Sequence, residues 1–394
     1  MEIPLLNDIV IIFGLAIVIL FICHKLNIPV ILGFLITGIL VGPYGLKLVK
    51  DIHEVEILAE IGIVLLLFTI GIEFSLERLL QIRKSVLIGG PLQVILTFTA
   101  AFFAARYFNM AVNKAIFTGF LVALSSTAIV LKVIQENANV DTPHGRTTLG
   151  MLIFQDIIVV PMILITPMLS GASGNLNQSI LFLLAKATGI ILFVVVSAKW
   201  IVPKLLYQIA KTRDNEFFLL SVVVICFSVA WLTSQAGLSL ALGAFLAGLI
   251  ISESEYSHHA LGNIHPFRDV FTTFFFVSIG MMLNLQFLSQ QLLPIILVAA
   301  GLIIIKGFIA GFVTLLLGLP LRTGIIVGCS LGQIGEFSFI LSGAGIEYGL
   351  ITGEFYQQFL AVAILSMALT PYMIVFAPKL ADLIIKLPLP KKLV

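Results

Sequence analysis

The sequence predicts an all-α polytopic membrane protein of about thirteen transmembrane helices, built from two inverted-topology repeats. Hydrophobic residues make up 60% of the 394 positions and charged residues 11%, with a mean hydropathy of +1.15. Because soluble domains carry roughly 25% charged residues, this composition excludes a soluble protein. Apolar runs of spanning length recur along the chain, and motifs of the first half return in the second.

Thirteen apolar segments of spanning character lie between clusters of glycine, proline and charge. They cover residues 7–24, 29–43, 56–74, 86–105, 115–135, 147–169, 178–203, 216–235, 238–252, 268–283, 291–317, 322–346 and 355–378. The second and ninth segments are short, which predicts tilted, broken or well-buried helices. No basic region precedes the first segment, so we expect a retained helix and not a cleaved signal peptide.

The distribution of lysine and arginine predicts the orientation of the helices. If the N-terminus lies outside, the inside connections hold 16 of the 22 basic residues and the outside connections hold 4. The other two, Lys186 and Lys306, fall within segments. This bias follows the positive-inside rule. The sequence therefore predicts a multi-pass protein of the cell membrane with an external N-terminus and a cytoplasmic C-terminus.

Three motifs repeat in the same order at nearly one offset. At offsets of 210, 209 and 205 positions, they pair residues 25–38 with 235–248, 68–71 with 277–280, and 118–125 with 323–330. The offset spans seven segments, an odd number, so the two halves must have opposite orientations in the membrane. Inverted repeats are typical of secondary transporters, whose substrate binds near the midplane between discontinuous helices. We expect a single transporter domain, divided into repeat one (about 7–169), a linker helix (about 178–210) and repeat two (about 216–385).

The matched segments five and twelve both contain helix-breaking residues near mid-span. Segment five carries Ser125, Ser126 and Thr127. Segment twelve carries the second predicted crossover, which consists of Gly332, Gln333, Gly335 and Glu336. Hydroxyls and freed carbonyls can replace the hydration shell of an ion, so we expect two discontinuous helices that cross. Ordinary helix packing through small residues is the alternative.

A carboxylate lies in the middle of segment six. Asp156 follows Gln155 in an apolar run, and an ionised aspartate at membrane depth costs about 2.5 kcal/mol or more. Because Pro161 has no N–H group, the carbonyl of Ile157 loses its helical partner. A buried acid beside a freed carbonyl predicts a monovalent cation site at Asp156. A structural aspartate paired with a lysine is the alternative.

Two further ionisable groups lie deep in the segments. The ammonium of Lys306 needs an acid at membrane depth, and Asp156 is the obvious candidate. Glu336 has Arg146 and Arg322 as candidate partners. A cation and a proton that compete for Asp156 would form a proton-coupled switch, because each excludes the other from the same carboxylate.

Several stretches resemble the monovalent cation:proton antiporter-2 family, which includes Kef-type potassium efflux systems and NapA sodium/proton antiporters. The resemblance covers essentially the whole chain and rests on residues 59–73, 123–128, 145–146, 152–156, 252–259, 266–267, 275–281 and 332–337. It implies the NhaA/NapA-like antiporter fold, a homodimer, and a mobile core domain that moves like an elevator against a dimerisation domain, with segment seven as the linker.

The resemblance also implies roles for individual residues. Asp156 would be the cation and proton carboxylate, with Gln155 as its neighbour and Lys306 as its salt-bridge partner. The residues expected to contribute oxygens or support are Ser125, Ser126, Thr127 and Arg146. The Gln–Asp pair, in place of two aspartates, is more similar to the potassium-type Kef members than to the sodium-type NapA members.

The chain departs from the Kef pattern at two places. Kef systems carry acidic residues before Pro266, where this chain has Leu261-Gly-Asn-Ile-His265. They also continue into a nucleotide-binding regulatory domain, whereas this chain ends at Val394. We expect no such domain in this chain, and we include a separate cytoplasmic regulatory subunit among the candidate partners.

The function predicted is secondary exchange of K⁺ or Na⁺ for protons, and a passive or gated monovalent cation channel is the alternative. An intramembrane protease is excluded because Asp156 is the one aspartate found at membrane depth and the histidines lie at edges or in loops. His258, His259 and His265 are better explained by a solvated loop than by a metal site. We therefore expect no enzyme activity, no cofactor and no nucleic-acid partner.

Overall fold

The computed structural model describes residues 4–26, 28–49, 52–73, 84–137, 139–170, 189, 196–235 and 240–386, apart from the side chains of Pro4, Glu73, Glu136 and Ala198. Most of predicted segment seven, with Lys186 and the first part of the predicted linker helix, lies outside the described residues. The described residues form helices and connecting turns, with no strand among them.

Sixteen α-helices are formed by the described part of the chain. In chain order they are α1 (Pro4–Lys25), α2 (Val30–Val41), α3 (Ile52–Glu73), α4 (Gly90–Tyr107), α5 (Val112–Ala123), α6 (Thr127–Glu136), α7 (Pro143–Leu169), α8 (Val202–Ala210), α9 (Asn215–Gln235), α10 (Leu240–Ser252), α11 (Ser257–Met282), α12 (Leu285–Gln290), α13 (Leu292–Leu316), α14 (Leu321–Leu331), α15 (Glu336–Glu347) and α16 (Gly353–Ile385). Single π-helical turns, Ser85–Gly89 and Ser197–Ile201, lead into α4 and α8.

The predicted membrane helices are confirmed in character, but the number thirteen is not. Within the described residues, 8 helices are long and apolar enough to cross a membrane, or 9 if the bent pair α14 and α15 counts as one span. The predicted short second and ninth segments are the 12-residue α2 and the 13-residue α10. Helix α11 begins at Ser257, before segment ten, and α16 continues past segment thirteen to Ile385.

The order of helices repeats along the chain, as the sequence motifs predict. Helices α1, α2, α4, α5, α6 and α7 are followed, about 210 positions later, by α9, α10, α13, α14, α15 and α16. In both halves, a pair of short helices (α5 with α6, α14 with α15) takes the place of one continuous span. The break is therefore a feature of the repeat and not of one helix.

One compact unit comprises the described parts of Met1–Asp8, Val49–Glu77 and Gly171–Ser278. Its apolar core is built mainly from α3, α9 and α10. Its buried members include Phe68, Leu206, Phe218, Val222 and Ile250.

The second compact unit comprises the described parts of Ile9–Leu48, Arg78–Ser170 and Ile279–Val394. It contains every residue predicted for the ion site. Helix α13 lies close against α14, because a β-carbon at Gly324 would already be 3.0 Å from the carbonyl oxygen of Gly311. This close approach brings the middle of α13, where Lys306 lies, to the break between α14 and α15.

Candidate functional site

The two predicted helix breaks are both present. Helix α5 ends at Ala123 and α6 begins at Thr127, while α14 ends at Leu331 and α15 begins at Glu336 with a bend of 44°. Ser126 caps the start of α6, since its hydroxyl oxygen accepts a hydrogen bond from the N–H of Ile129 at 3.2 Å. Serine favours such caps because its side chain replaces a missing helical partner.

The breaks contact each other through main-chain groups that the helices leave free. The N–H of Gly335 donates to the carbonyl oxygen of Leu124 at 3.2 Å. In the opposite direction, the Ser125 hydroxyl donates to the carbonyl oxygen of Leu331 at 3.0 Å. Unpaired main-chain groups are costly inside a membrane, so these reciprocal bonds join the two breaks into one crossover.

Lys306 caps the carbonyl ends of the crossover. Its side chain is 1% exposed, and its ammonium donates to the carbonyl oxygens of Leu124 at 2.7 Å and Gln333 at 2.6 Å. The C-terminal ends of α5 and α14 carry partial negative charge, which a cation stabilises. The bonds of the ammonium therefore go to main-chain carbonyls, and among the described residues Lys306 forms no ion pair with Asp156, contrary to the prediction.

Glu336 occupies the opposite, N–H side of the crossover. It is 4% exposed, lies in the first turn of α15, and accepts through Oε1 a hydrogen bond from the N–H of Ala128 at 3.1 Å. Ala128 lies in the first turn of α6. The carboxyl thus touches the N-terminal ends of two helices, where partial positive charge favours an anion.

The arginine partners predicted for Glu336 are wrong. Arg146 bonds to Asp141 at 3.3 Å, and Arg322 bonds to Asp382 at 3.0 Å. The Arg146 side chain is 62% exposed, so it does not reach the crossover and the supporting role predicted for it finds no contact. Glu336 instead uses main-chain N–H groups, which sequence inspection for opposite charges does not reveal.

Asp156 lies on α7 with its carboxylate at the start of α6. Its Oδ1 accepts a hydrogen bond from the hydroxyl of Thr127 at 2.9 Å. The residue is neither fully buried nor exposed, and α7 runs without interruption through Pro161. The predicted association of Asp156 with the first break is therefore present, through Thr127.

The other residues predicted to contribute oxygens to the ion site form hydrogen bonds within the crossover. The side-chain oxygen of Gln155 accepts from the N–H of Ser125 at 2.6 Å, and the hydroxyls of Ser125 and Ser126 bond to main-chain groups. Gln333 contributes its main-chain carbonyl to Lys306, while its buried side-chain amide has no hydrogen-bond partner among the described residues. Gly332 follows α14 directly as its C-terminal cap residue.

Two polar residues of the crossover were missed by sequence reasoning. Gln93 on α4 accepts a hydrogen bond from the side-chain nitrogen of Gln155 at 2.7 Å. Ser366 on α16 accepts from the N–H of Ile334 at 3.2 Å. Both are uncharged, and the search for membrane-depth ionisable groups passed over them. A buried amide or hydroxyl in an otherwise apolar span is the signal that could have revealed them.

Comparison with protein families and relatives places these features in context. The family model described as the transmembrane part of the sodium/hydrogen exchangers matches residues 10–377 of this chain. The protein named K(+) efflux antiporter 5 of Arabidopsis thaliana is 35% identical over 390 residues, covering 97% of this chain and 68% of its own length. The glutathione-regulated potassium-efflux system protein KefC of Salmonella schwarzengrund is 34% identical over 369 residues, covering 93% of this chain and 59% of its own length.

The fold is also found in a solved structure. The sodium proton antiporter MjNhaP1 from Methanocaldococcus jannaschii, at pH 8, superimposes with a TM-score of 0.73 over 96% of this chain and 99% of that chain, at 18% sequence identity. Identity this low supports the fold alone. The expected antiporter fold is therefore confirmed, while the chain spans 59–68% of the length of the two relatives named above.

Proposed function

The chain belongs to the transmembrane sodium/hydrogen exchanger family, and we propose on that premise that it exchanges a monovalent cation for protons at Asp156. One contact carries the assignment. The Asp156 carboxylate meets the Thr127 hydroxyl at 2.9 Å, at the helix break where the two repeats cross. Carboxylate and hydroxyl oxygens are ligands that hard cations accept.

Thr127 is suited to a site that is alternately loaded and empty. A hydroxyl has one donor and two acceptor lone pairs. In the structure, it donates to the carboxylate. With a cation present, the same oxygen can turn a lone pair towards the ion while the carboxylate supplies the charge. A proton on the carboxylate removes that charge, so cation and proton occupy the site by turns.

Lys306 and Glu336, the other ionisable residues of the crossover, bond to main-chain groups, which leaves this exchange to Asp156. Lys306 is held by two carbonyl oxygens and Glu336 by the N–H of Ala128, so each residue lies at helix ends of the opposite partial charge. We propose that both residues hold the crossover together while Asp156 changes its load. Access to Asp156 from the two faces of the membrane would alternate, as inverted-repeat transporters do.

Potassium is the first cation to test. The two relatives described above are named as potassium efflux proteins, and the Gln155–Asp156 pair lacks the second aspartate of the paired type. We further propose a multi-pass location in the cell membrane with the N-terminus outside and the C-terminus cytoplasmic, and assembly as a homodimer. A separate cytoplasmic regulatory subunit remains part of this proposal.

The test is cation-driven proton movement in proteoliposomes that contain a pH-sensitive dye. Pulses of K⁺, Na⁺, Li⁺ and Rb⁺ are added with and without a clamped membrane potential. We expect at least one cation, and K⁺ first, to dissipate an imposed pH gradient. Tracer uptake of the cation without any proton movement would replace the exchanger by the alternative, a monovalent cation channel.

A further inference from the structure

We propose that Gln93 and Thr97 are positioning residues that set the orientation of Gln155 and, through it, the geometry of the cation site. They form a hydrogen-bonded chain that begins on α4, passes through Gln155 on α7 and ends at the main chain of Ser125. This inference rests on the proposed exchange at Asp156.

The direction of every bond in this chain follows from its last member. The main-chain N–H of Ser125 can only donate, so the Gln155 atom that faces it at 2.6 Å must be the side-chain oxygen. The Gln155 nitrogen then points away and donates to the oxygen of Gln93 at 2.7 Å. The Gln93 nitrogen in turn donates to the Thr97 hydroxyl oxygen at 3.0 Å.

Because its members are buried, no bond of this hydrogen-bonded chain is easily replaced. Gln93 and Ser125 are 0% exposed, and Thr97 and Gln155 are 1% exposed. In such an environment water does not replace a lost partner, and a buried polar group left without one is costly. Each member therefore constrains the next, from Thr97 to the helix break.

The hydrogen-bonded chain from Thr97 to Ser125 affects the position of the ligands at the ion site. Because its oxygen accepts the Ser125 N–H, Gln155 holds the break that carries Thr127. The Ser125 position is two residues from Thr127, whose hydroxyl contacts Asp156. If one of these hydrogen bonds were lost, the break could shift and misplace the Thr127 hydroxyl. We expect such a shift to weaken cation binding more than it slows turnover.

The hydroxyl of Thr97 also allows the hydrogen bond between Gln93 and Thr97 to reverse its direction. A hydroxyl can accept or donate a hydrogen bond, whereas an apolar group can do neither. If a carboxylate replaced the Gln155 amide, Gln93 could turn its nitrogen towards that carboxylate and its oxygen towards the Thr97 hydroxyl, which would then donate. We infer that the Gln93–Thr97 pair accommodates either an amide or an acid at position 155.

The test compares three substitutions on α4. Thr97→Val removes the hydroxyl at constant shape, Thr97→Ser keeps it, and Thr99→Val is the matched control, since the Thr99 hydroxyl bonds only to the carbonyl of Ile95 in its own helix. Loss of one neutral hydrogen bond corresponds to roughly a three- to tenfold change in an equilibrium constant. We expect Thr97→Val to raise the apparent KM for K⁺ about three- to tenfold with the maximal rate within about twofold of wild type. Thr97→Ser and Thr99→Val should keep the wild-type KM.

A double-mutant cycle separates positioning from packing. Gln93→Met interrupts the chain upstream of Gln155, so adding Thr97→Val to Gln93→Met should raise the KM no further. The proposal would be overturned if the KM increases of Gln93→Met and Thr97→Val multiplied in the double variant. Equal KM values for Thr97→Val and Thr99→Val would also overturn it. The same cycle is read by thermal unfolding, where we again expect no additional loss in the double variant. If wild type shows no exchange at all, the proposed function fails, and the unfolding cycle still decides whether the chain is coupled.

Discussion

Gly335 touches the main chain of Ser125 and Ser126 at the point where the two broken helices cross. A β-carbon at Gly335 would lie 2.6 Å from the nitrogen of Ser126, and nearer still to the carbonyl group of Ser125. These neighbours are main-chain atoms, which cannot turn aside as a flexible side chain can. The crossover therefore requires glycine at this position for reasons of space, independent of any ion.

Gly335→Ala is expected to disrupt the crossover. Overpacking of a close contact typically costs about 1–3 kcal/mol, so the variant should unfold at lower temperature and lose exchange activity. The matched control is Gly343→Ala on the same helix, because nothing lies within 4 Å of a β-carbon there. Thermal unfolding in detergent and proteoliposome flux measure both variants. Equal behaviour of the two would contradict the described approach of the breaks.

Lys306→Met should destabilise the protein without depending on Asp156. The substitution removes the ammonium from the carbonyls of Leu124 and Gln333. The Leu124 carbonyl keeps the N–H of Gly335, whereas the Gln333 carbonyl loses this donor, and a buried unsatisfied group costs about 1–3 kcal/mol. Lys204→Met, on an exposed part of α8, is the control and should change stability by less than about 0.5 kcal/mol.

A second substitution distinguishes carbonyl capping from a salt bridge. If Lys306 were paired with Asp156, Asp156→Asn would leave the ammonium as an unpaired buried charge. Adding Lys306→Met would then remove that charge, and the double variant would be more stable than Asp156→Asn alone. Capping of carbonyls predicts the reverse, namely that Lys306→Met lowers the unfolding temperature by the same amount in both backgrounds. The unfolding temperatures of the four proteins decide between these interpretations.

Glu336→Gln and Glu336→Ala should differ in stability. Glutamine keeps a side-chain oxygen that can accept from the N–H of Ala128, whereas alanine leaves this buried donor unpaired at a cost of about 1–3 kcal/mol. Glu347, at the exposed end of the same helix, provides the control pair, for which we expect no such difference. A Glu336→Ala protein as stable as Glu336→Gln would show that the bond to Ala128 contributes nothing.

The apparent KM for the cation should rise as pH falls. A protonated Asp156 cannot bind the cation, so protons act as competitive inhibitors, and the affinity of a carboxylate site for a metal ion falls as the carboxylate is protonated. In the acidic range, the KM should increase by up to about tenfold per pH unit while the extrapolated maximal rate changes little. Initial rates measured over a series of cation concentrations at each pH give both values. A KM independent of pH would mean that cation and proton do not share a site.

The features that could be predicted from the sequence are those marked by particular residue types. Ser125, Ser126 and Thr127 are poor residues for the middle of a helix, and the two glycines around Gln333 permit a turn, so both breaks could be located. Asp156 stood out because a carboxylate at membrane depth needs a reason. The matching positions of the two breaks in the two repeats indicated a secondary transporter, and the resemblance to a known family implied the antiporter fold.

The partners of the buried charges could not be predicted in the same way. Lys306 and Glu336 bond to main-chain carbonyl and N–H groups, and every residue carries these groups, so no residue type marks them. They become available only once two helices break and meet. A search for opposite side-chain charges therefore assigned Lys306 to Asp156 and Glu336 to arginines.

Neutral side chains were overlooked for a related reason. Gln93 and Thr97 are separated by four positions and share one face of α4, but neither carries charge, and threonine is common in membrane helices. Their importance follows from contact with Gln155, which requires α4 and α7 to be in place. Sequence patterns alone do not supply that distance.

The central claim is that cation and proton share the carboxylate of Asp156. The most direct measurement is cation-induced dissipation of a pH gradient by proteoliposomes containing wild type, Asp156→Asn or the control Asp141→Asn, whose carboxylate is exposed near Arg146. We predict that Asp156→Asn is folded but abolishes the response, while Asp141→Asn retains it. Exchange that persists in folded Asp156→Asn protein would contradict the account.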